Sequence, residues 1–496
     1  MVRESNRTIE RVYLLNPPMV EGFVRGGRWQ GVRARGRTMY YPIWLAYTAA
    51  ALVDIGAEVT LRDAPAEKRD ARQIESEVAA SEPDLVVIET NFSTLSRDLN
   101  FARNLKNPSM EAPWVAVIGP PCMTHTDFIA GFQGIDFIIK GESDFAIQDL
   151  VNAGRAELHS SGAKYEHTRL NGIEIIDGYG RHSSASDLDG ESFVTSIYKR
   201  HLDIRNYFLD HTLWPEVQIM SGRGCPHSCS FCSWPRNLTG REPRLRSAKH
   251  VVAEMEFVKK ELREVKEVFF EDDTFTLDRK RTEEICQLLR SEKLDLTWSC
   301  QARADIPVEM MREMRNAGCR LLDVGFESAS DVTLKGIRKG TSRKNLEEFA
   351  NNARRAGLQV LGDFIIGLPG ETENDARKTI QFAIDLDLDM VQFAIATPIP
   401  GTPLYQQCKE NGFLLTENLE ESLDSEGFQR SIVSYPDLTA ERIELLADYG
   451  IKRFYFRPGY FAKLPRMMIG RNPVGEARRI MNGGLGMMRY LLRANG

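Results

Sequence analysis

Along the first 150 residues, short runs of Val, Ile, Leu and Tyr recur between longer stretches of helical period. RVYLLNPP (11–18), AEVTLRDAP (57–65), DLVVIET (84–90), WVAVIGPP (114–121) and GIDFIIKGE (134–142) read as five strands. Most are apolar on both faces, the pattern of a parallel sheet covered by crossover helices, and they end in Asn, Pro, Gly or Thr, which suits loops opening into a ligand crevice. The expected class is α/β, with a doubly wound small-ligand domain over 1–151.

The pattern weakens between 152 and 212, where RHSSASDLDGES is polar, and a linker with short strands is expected. A second alternation fills 213–412: VQIM (217–220), VKEVFFEDDTF (265–275), LTWSCQARAD (296–305), CRLLDVGFES (319–328), LQVLGDFIIGLPGE (358–371) and MVQFAIATPIPGT (390–402). Helical stretches such as HVVAEMEFVKKELR and NLEEFANNARRAG separate them. Six βα units predict a partial (β/α)6 barrel with its chemistry at the strands' carboxyl ends. A helical cap with a basic tail is expected over 413–496.

Charge refines this picture. With 64 basic against 70 acidic residues the chain carries −6, so nucleic acid is not an expected partner. Residues 451–496 are the exception, holding ten Lys or Arg against the single acid Glu476, interleaved with Phe454, Tyr455, Phe456, Tyr460, Phe461 and five Met. That +9 leaves −15 elsewhere, and it suits either a helical cap over the barrel mouth or a segment lying at an anionic lipid surface. No run approaches the roughly 18 to 20 apolar residues that span a bilayer. The charged start lacks a secretory apolar stretch, so a cytoplasmic protein is expected, with membrane association only through the tail.

Eight cysteines are too few for a disulfide framework, yet Cys225, Cys229 and Cys232 fall together in RGCPHSCSFCSWP, just after the first strand of the second set. Three thiolates on one loop can hold three irons of a cubane [4Fe-4S] cluster and leave the fourth iron open. The alternative is zinc, which needs a fourth ligand, and His227 is the neighbour that offers one. Cys122, Cys286, Cys300, Cys319 and Cys408 are scattered and read as ordinary small residues.

This loop resembles that of the radical S-adenosylmethionine (SAM) superfamily, and further segments match in order: EDDTF (271–275), SCQAR (299–303), GFESAS (325–330) and IIGLPGET (365–372). The resemblance implies that Cys225, Cys229 and Cys232 carry the cluster, that SAM binds its open iron, and that reductive cleavage yields a 5′-deoxyadenosyl radical. It makes Phe231, Asp272, Gln301, Arg303, Glu327, Gly367 and Pro369 the candidate SAM contacts. Arg303 is a permanent cation suited to the SAM carboxylate, and Glu327 can accept from its amine or ribose hydroxyls. Taken singly, EDD is also a set of strand-end capping carboxylates, GLPGET a turn before a helix, and PIPGT (398–402) a rigid turn.

A doubly wound domain ahead of such a core resembles the Rossmann-like cobalamin-binding arrangement of the B12-dependent radical SAM class. Candidate cobalamin contacts are Asn16, Pro17, Thr90, Asn91, Ser93, Gly119, Pro120, Gly141 and Glu142, in loops rich in Gly, Pro or hydroxyls. The Asp-x-His-x-x-Gly signature that gives cobalt a histidine elsewhere is absent, and His125 is the domain's one histidine. NPPMVEGFVRGGRWQ, YYPIWLAYTAAAL, CSFCSWP, FEDDTFTLD and LTWSCQARADIP look like the subgroup of hopanoid-biosynthesis proteins and, more distantly, the anaerobic Mg-protoporphyrin monomethyl ester cyclase.

The expected activity is therefore hydrogen abstraction from an unactivated carbon of a hydrophobic substrate, a polycyclic lipid or natural product, followed by rearrangement, cyclisation or reduction. The alternatives are a C-methyltransferase using methylcobalamin and a non-catalytic cobalamin-binding regulator. An electron donor of flavodoxin or ferredoxin type is the expected protein partner.

Overall fold

The computed structural model describes residues 9–26, 31–36, 38–106, 112–157, 166–170, 173–178, 188–468 and 473–493. The chain gathers into two compact units. One comprises Met1–Arg33, Met39–Tyr207 and Ser233–Arg244, the other Ala34–Thr38, Phe208–Cys232 and Leu245–Gly496.

In the first unit the five expected strands form: β1 (Arg11–Asn16), β2 (Glu58–Asp63), β3 (Leu85–Glu89), β4 (Trp114–Ile118) and β5 (Phe137–Gly141). Within the stretch read as a linker, β6 (Glu166–Leu170) and β7 (Ile173–Gly178) make an antiparallel hairpin whose second strand pairs parallel to β5. Most of the polar interruption that follows lies outside the described residues. The sheet order is β2-β1-β3-β4-β5-β7-β6. Helix α1 (Ile43–Asp54), buried at ten of its positions, closes one face, and α2 (Ala71–Ser81) and α3 (Leu95–Asn104) help cover the other. Tyr13, Leu15, Val86, Ile88, Val115 and Val117 pack there with Ile74, Val78 and Leu99, which explains strands without a polar face. Because β1 is followed by β2 on one side and β3 on the other, the strand order reverses between β1 and β3, where a doubly wound sheet opens a crevice at its carboxyl edge.

In the second unit β8 (Glu216–Ile219), β9 (Glu267–Phe270), β10 (Thr297–Ala302), β11 (Cys319–Glu327), β12 (Gln359–Ile366) and β13 (Met390–Ile395) lie side by side in chain order. Every pairing is parallel, as a partial (β/α)6 barrel requires. The intervening helices include α4 (Ala248–Glu261), α5 (Arg279–Ser291), α6 (Val308–Asn316), α7 (Arg343–Ala356) and α8 (Glu373–Asp385). Four of them start where the sequence supplies a capping oxygen: Ser247, Asp278, Ser342 and Thr372 each accept a backbone N–H of the first turn.

The tail forms α9 (Ala440–Tyr455), α10 (Pro458–Met468) and α11 (Pro473–Arg493). Leu464 of α10 packs on Leu321, Leu361 and Met390 of the sheet. Glu476 of α11 accepts from Arg320, which also binds Glu267, and Arg479 donates to Glu476 over 2.9 Å. Glu267 and Arg320 stand at the amino ends of β9 and β11, so this part of the tail is anchored at the opposite end of the sheet from the barrel mouth.

Candidate active site

The cysteine loop is held from three sides. Asp272 accepts from the Ser221 N–H at 2.6 Å and its hydroxyl at 2.5 Å, and Asp273 accepts from the Gly224 N–H at 2.9 Å. Arg281 donates to the Ser221 carbonyl over 2.7 Å. Farther along, the Ser230 N–H donates to Ile337 at 2.9 Å and its carbonyl accepts from Leu404 at 3.0 Å. Leu404 is placed by the turn of PIPGT, in which Thr402 donates to Ile399 and caps the helix Pro403–Glu410. The turn read from the sequence thus clamps the loop that carries the thiols, and Asp272 does the same from β9.

Cys229 is buried and Cys225 and Cys232 are half-buried. Burial, with Asp273 and Cys229 beside it, pushes the Cys225 thiol above its ordinary range, while Arg303 works the other way. Among the described residues no group of three or more His, Cys, Asp or Glu is already placed to hold a metal ion. His227 is depressed in basicity by burial and by the charge of Arg303. The other five cysteines are buried, and burial takes Cys286 up to about 12 and Cys408 to about 11, which leaves them inert thiols.

Beside the cysteines stands a set of charges that the sequence reading found only in part. Arg303 follows β10, donates to the Lys339 carbonyl over 2.6 Å, and lies 3.9 Å from the Cys229 sulfur. Its Nε is buried without a hydrogen-bond partner among the described residues. Glu327 ends β11 with φ +62°, after a register shift at Gly325. Its Oε1 accepts from Lys339 at 2.6 Å, whereas Oε2 is buried without a hydrogen-bond partner among the described residues. The Lys339 ammonium sits 5.9 Å from the Phe231 ring centroid. Burial disfavours that ammonium, but Glu327 and Cys229 outweigh burial and hold Lys339 protonated. A side chain at Gly325 would meet Glu327 Oε1 at 2.3 Å and Lys339 Nζ at 2.5 Å, so the ion pair packs directly over a glycine. A cavity of about 260 Å³ opens here, lined by Arg303, Gly325, Lys339 and Gly340 and by Asn345 and Glu348 of α7.

Farther round the sheet, Gln301 is in register with Asp323, and Asp363 with Gln392. Burial and the charge of Glu327 raise Asp363 to about 7, against its hydrogen bond with Asp323 and the nearby Lys339. Gly367 (φ +90°) donates to Glu371 over 2.7 Å and accepts from the Tyr435 hydroxyl, and Pro369 is half-exposed beside it. Gly367 also packs against Ile443 of α9. Lys339 (in GIRKGTS), Asp323 and Asp363 escaped the sequence reading because a lysine in a loop and an acid in a strand have no motif of their own.

At the crevice of the first unit, the sequence candidates form one buried polar knot. Asn16 donates to Asp63 at 2.8 Å, Arg25 donates to Asn16 at 2.8 Å and to the Pro17 carbonyl at 2.6 Å, and Arg25 pairs with Asp98 at 2.7 Å. Asp98 also takes the Thr90 and Thr94 hydroxyls. Asn91 and Ser93 bind the backbone of Gly31. These groups build the crevice wall with internal bonds. Gly119 (φ +119°) presses on the Thr90 carbonyl, where a Cβ would come within 2.2 Å, and Pro120 follows it half-exposed. Gly141 (φ +72°) ends β5. Glu142 is committed to a buried ion pair with Arg244, which ties down the segment Ser233–Arg244. His125 is turned to Thr124 and the edge of Phe92. Glu89, at the end of β3, escaped the sequence reading: burial lifts its carboxyl to about 8, and Oε2 has no hydrogen-bond partner among the described residues.

The radical SAM superfamily is matched over residues 219–383. Across 430 residues, 85% of this chain and 89% of the relative, there is 30% identity to a protein of Pyrococcus horikoshii described as an uncharacterized methyltransferase. The chain belongs to the radical SAM superfamily. This radical SAM protein is also 27% identical over 391 residues to the anaerobic magnesium-protoporphyrin IX monomethyl ester cyclase of Cereibacter sphaeroides, spanning 74% of its own length and 60% of the cyclase. Its fold is shared with the radical SAM methyltransferase TsrM of Kitasatospora setae, solved with cobalamin and a [4Fe-4S] cluster, at a TM-score of 0.65 and 17% identity over 99% of this chain and all of that one.

Proposed function

We propose that the protein is a cobalamin-dependent radical SAM methyltransferase acting on a carbon of a small molecule. This replaces the rearrangement, cyclisation or reduction favoured from sequence, because the relative that aligns over most of both chains and the structural neighbour of equal extent are both described as methyltransferases. The observation that carries the reading is the grouping of Cys229, Arg303, Lys339, Glu327 and Phe231 around two buried polar atoms, Arg303 Nε and Glu327 Oε2, that have no hydrogen-bond partner among the described residues.

The residues fit the groups this function needs. Cys225, Cys229 and Cys232 would hold the cluster, Cys229 from a buried position and the other two from half-buried ones. Arg303 would take the SAM carboxylate, Glu327 Oε2 would accept from its amine or a ribose hydroxyl, and Phe231, Gln301, Gly367 and Pro369 would flank it. Asn16, Pro17, Thr90, Asn91, Ser93, Gly119, Pro120 and Gly141 would shape the cobalamin crevice. When bound, these groups supply reductive cleavage of SAM and a methyl group carried on cobalt. Lys339 fixes one oxygen of Glu327 and leaves the other aimed for use. Asp272 and Glu142 act by holding the cysteine loop and the segment Ser233–Arg244. A flavodoxin- or ferredoxin-type donor would supply the electron.

The substrate expected from sequence was hydrophobic. Gln301, Asp323, Asp363 and Gln392 put a polar residue in each of four neighbouring strands, Gln301 near the carboxyl end and the other three within the strands, which favours a substrate with hydrogen-bonding groups over a bare polycyclic hydrocarbon. The test is anaerobic reconstitution followed by SAM and dithionite. With cobalamin included, the expected products are 5′-deoxyadenosine, lost in Cys229→Ala, and S-adenosylhomocysteine; an iron-replete, cobalamin-loaded protein giving neither would defeat the proposal.

A further inference from the structure

Helix α11 is built inside out. Its inward face carries Glu476 and Arg479, each 4% exposed and locked to Arg320 and to one another, followed by Gly483 against Asp210 and Tyr490 bonded to Asp448. These positions are three, four and seven apart, one face of a helix. The opposite face, at spacings of seven, four and three, shows Val474 79% exposed, Met481 58%, Leu485 41% and Met488 44%. A surface helix in water turns such a stripe inward. Here the polar stripe is buried and the apolar one is presented.

The acids of other elements that meet α11, Asp210 and Asp448, do so at Gly483 and Tyr490 on its inward face. Glu476, the only acid between 451 and 496, is buried in the ion network, so no carboxylate of this segment reaches the surface. Arg478 is exposed next to the stripe and leans on the Trp214 ring at 4.2 Å. Arg457 and Lys463 are matched by Asp387 and Asp389, and Arg479 by Glu476, but the tail as a whole still carries +9 against −15 elsewhere, a distribution that favours its approach to a negative surface.

We propose that the outward face of α11 docks on an anionic lipid bilayer, lying in the interface plane. Among the described residues no helix is long and apolar enough to cross a membrane, so the contact is peripheral. One face of a 21-residue helix is small beside the roughly 800 Å² per partner of a stable protein interface, whereas a bilayer accepts a single apolar helix face flanked by arginine. The proposal stands apart from the methyl-transfer reading, and its test does not use turnover.

The full chain, reconstituted with its cluster under anaerobic conditions, is floated with vesicles of phosphatidylglycerol and phosphatidylcholine and with phosphatidylcholine vesicles alone. The expected result is binding to the anionic vesicles that weakens with salt, with at least tenfold less binding to the zwitterionic ones. Met481→Glu with Leu485→Glu should lower anionic binding at least tenfold while the melting temperature and the cluster absorbance stay as in the wild type, since both side chains are exposed. Absence of wild-type binding, equal binding to both vesicles, or unchanged binding by the double variant overturns the proposal. So does a dimer, seen by light scattering, that the double substitution dissociates, because the face would then join two copies of this chain.

Discussion

At the scale of single residues, the site rests on buried groups whose partners are only half supplied by the protein. Lys339 is the clearest case, since its ammonium leaves one oxygen of Glu327 bound and the other open. Lys339→Met should weaken binding of S-adenosylhomocysteine to the reconstituted protein by about tenfold or more, the effect of losing a charge-assisted hydrogen bond. Lys339→Arg should recover part of it. Equal affinity in all three proteins, measured by calorimetry, would remove Lys339 from the site. Glu89 gives a pH prediction. Folding lifts its carboxyl from 4.5 to about 8, because the buried charged form is unfavourable. The native state therefore holds a proton the unfolded chain releases, and the stabilising effect is complete below about 4.5 and lost as pH rises through about 8. Glu89→Gln cannot ionise, so its melting temperature relative to the wild type should climb between about pH 5 and 8 and level off above. Parallel curves across that range would show that Glu89 does not titrate in the fold.

At the scale of elements, the strands were legible because burial on both faces writes continuous apolar runs, while helices such as those starting at Ala248 and Arg343 begin behind a capping serine that the sequence reading had not singled out. The hairpin of β6 and β7 was less legible: EHTRL and IEIIDG are short, polar in part, and join the sheet only through pairing with β5. Motifs singled out the cysteines, Arg303 and Glu327 as candidates, whereas the bond from Ser221 to Asp272 is a relation spanning 51 residues that no local pattern contains. Gly119 shows how a sequence candidate gains a physical reason. Its positive φ and the 2.2 Å approach of the Thr90 carbonyl exclude any side chain. Gly119→Ala should destabilise the first unit by about 2 to 4 kcal/mol, combining backbone strain with a displaced strand end. Urea unfolding of the two proteins measures this, and a loss under about 1 kcal/mol would mean the crevice wall yields more easily than its packing implies.

At the scale of the whole molecule, the basic tail could be weighed as cap or lipid contact from composition, but its docking could not be read, because the decisive residue is the lone acid among ten bases. Glu476 sits between Arg320 and Arg479; burial alone would raise its carboxyl, and the two guanidiniums outweigh burial and hold it below the usual range. The contribution is present above the unfolded value near 4.5 and fades as pH falls below it. Removing the charge by Glu476→Gln leaves Arg320 its bond to Glu267 but takes from Arg479 the carboxylate it faces. A buried charge stripped of its partner costs about 3 to 5 kcal/mol, and α11 can relieve that cost by lifting off the sheet. Limited proteolysis should therefore cut the variant between α10 and α11 well before the wild type, while the barrel retains its cysteine loop, which Asp272, Ser230 and Leu404 secure without help from the tail. If both proteins were cut at the same rate, the apolar packing of Leu464 and the contacts of Tyr490 would be sufficient to hold the tail, and the buried ion network would be a consequence of docking instead of its cause.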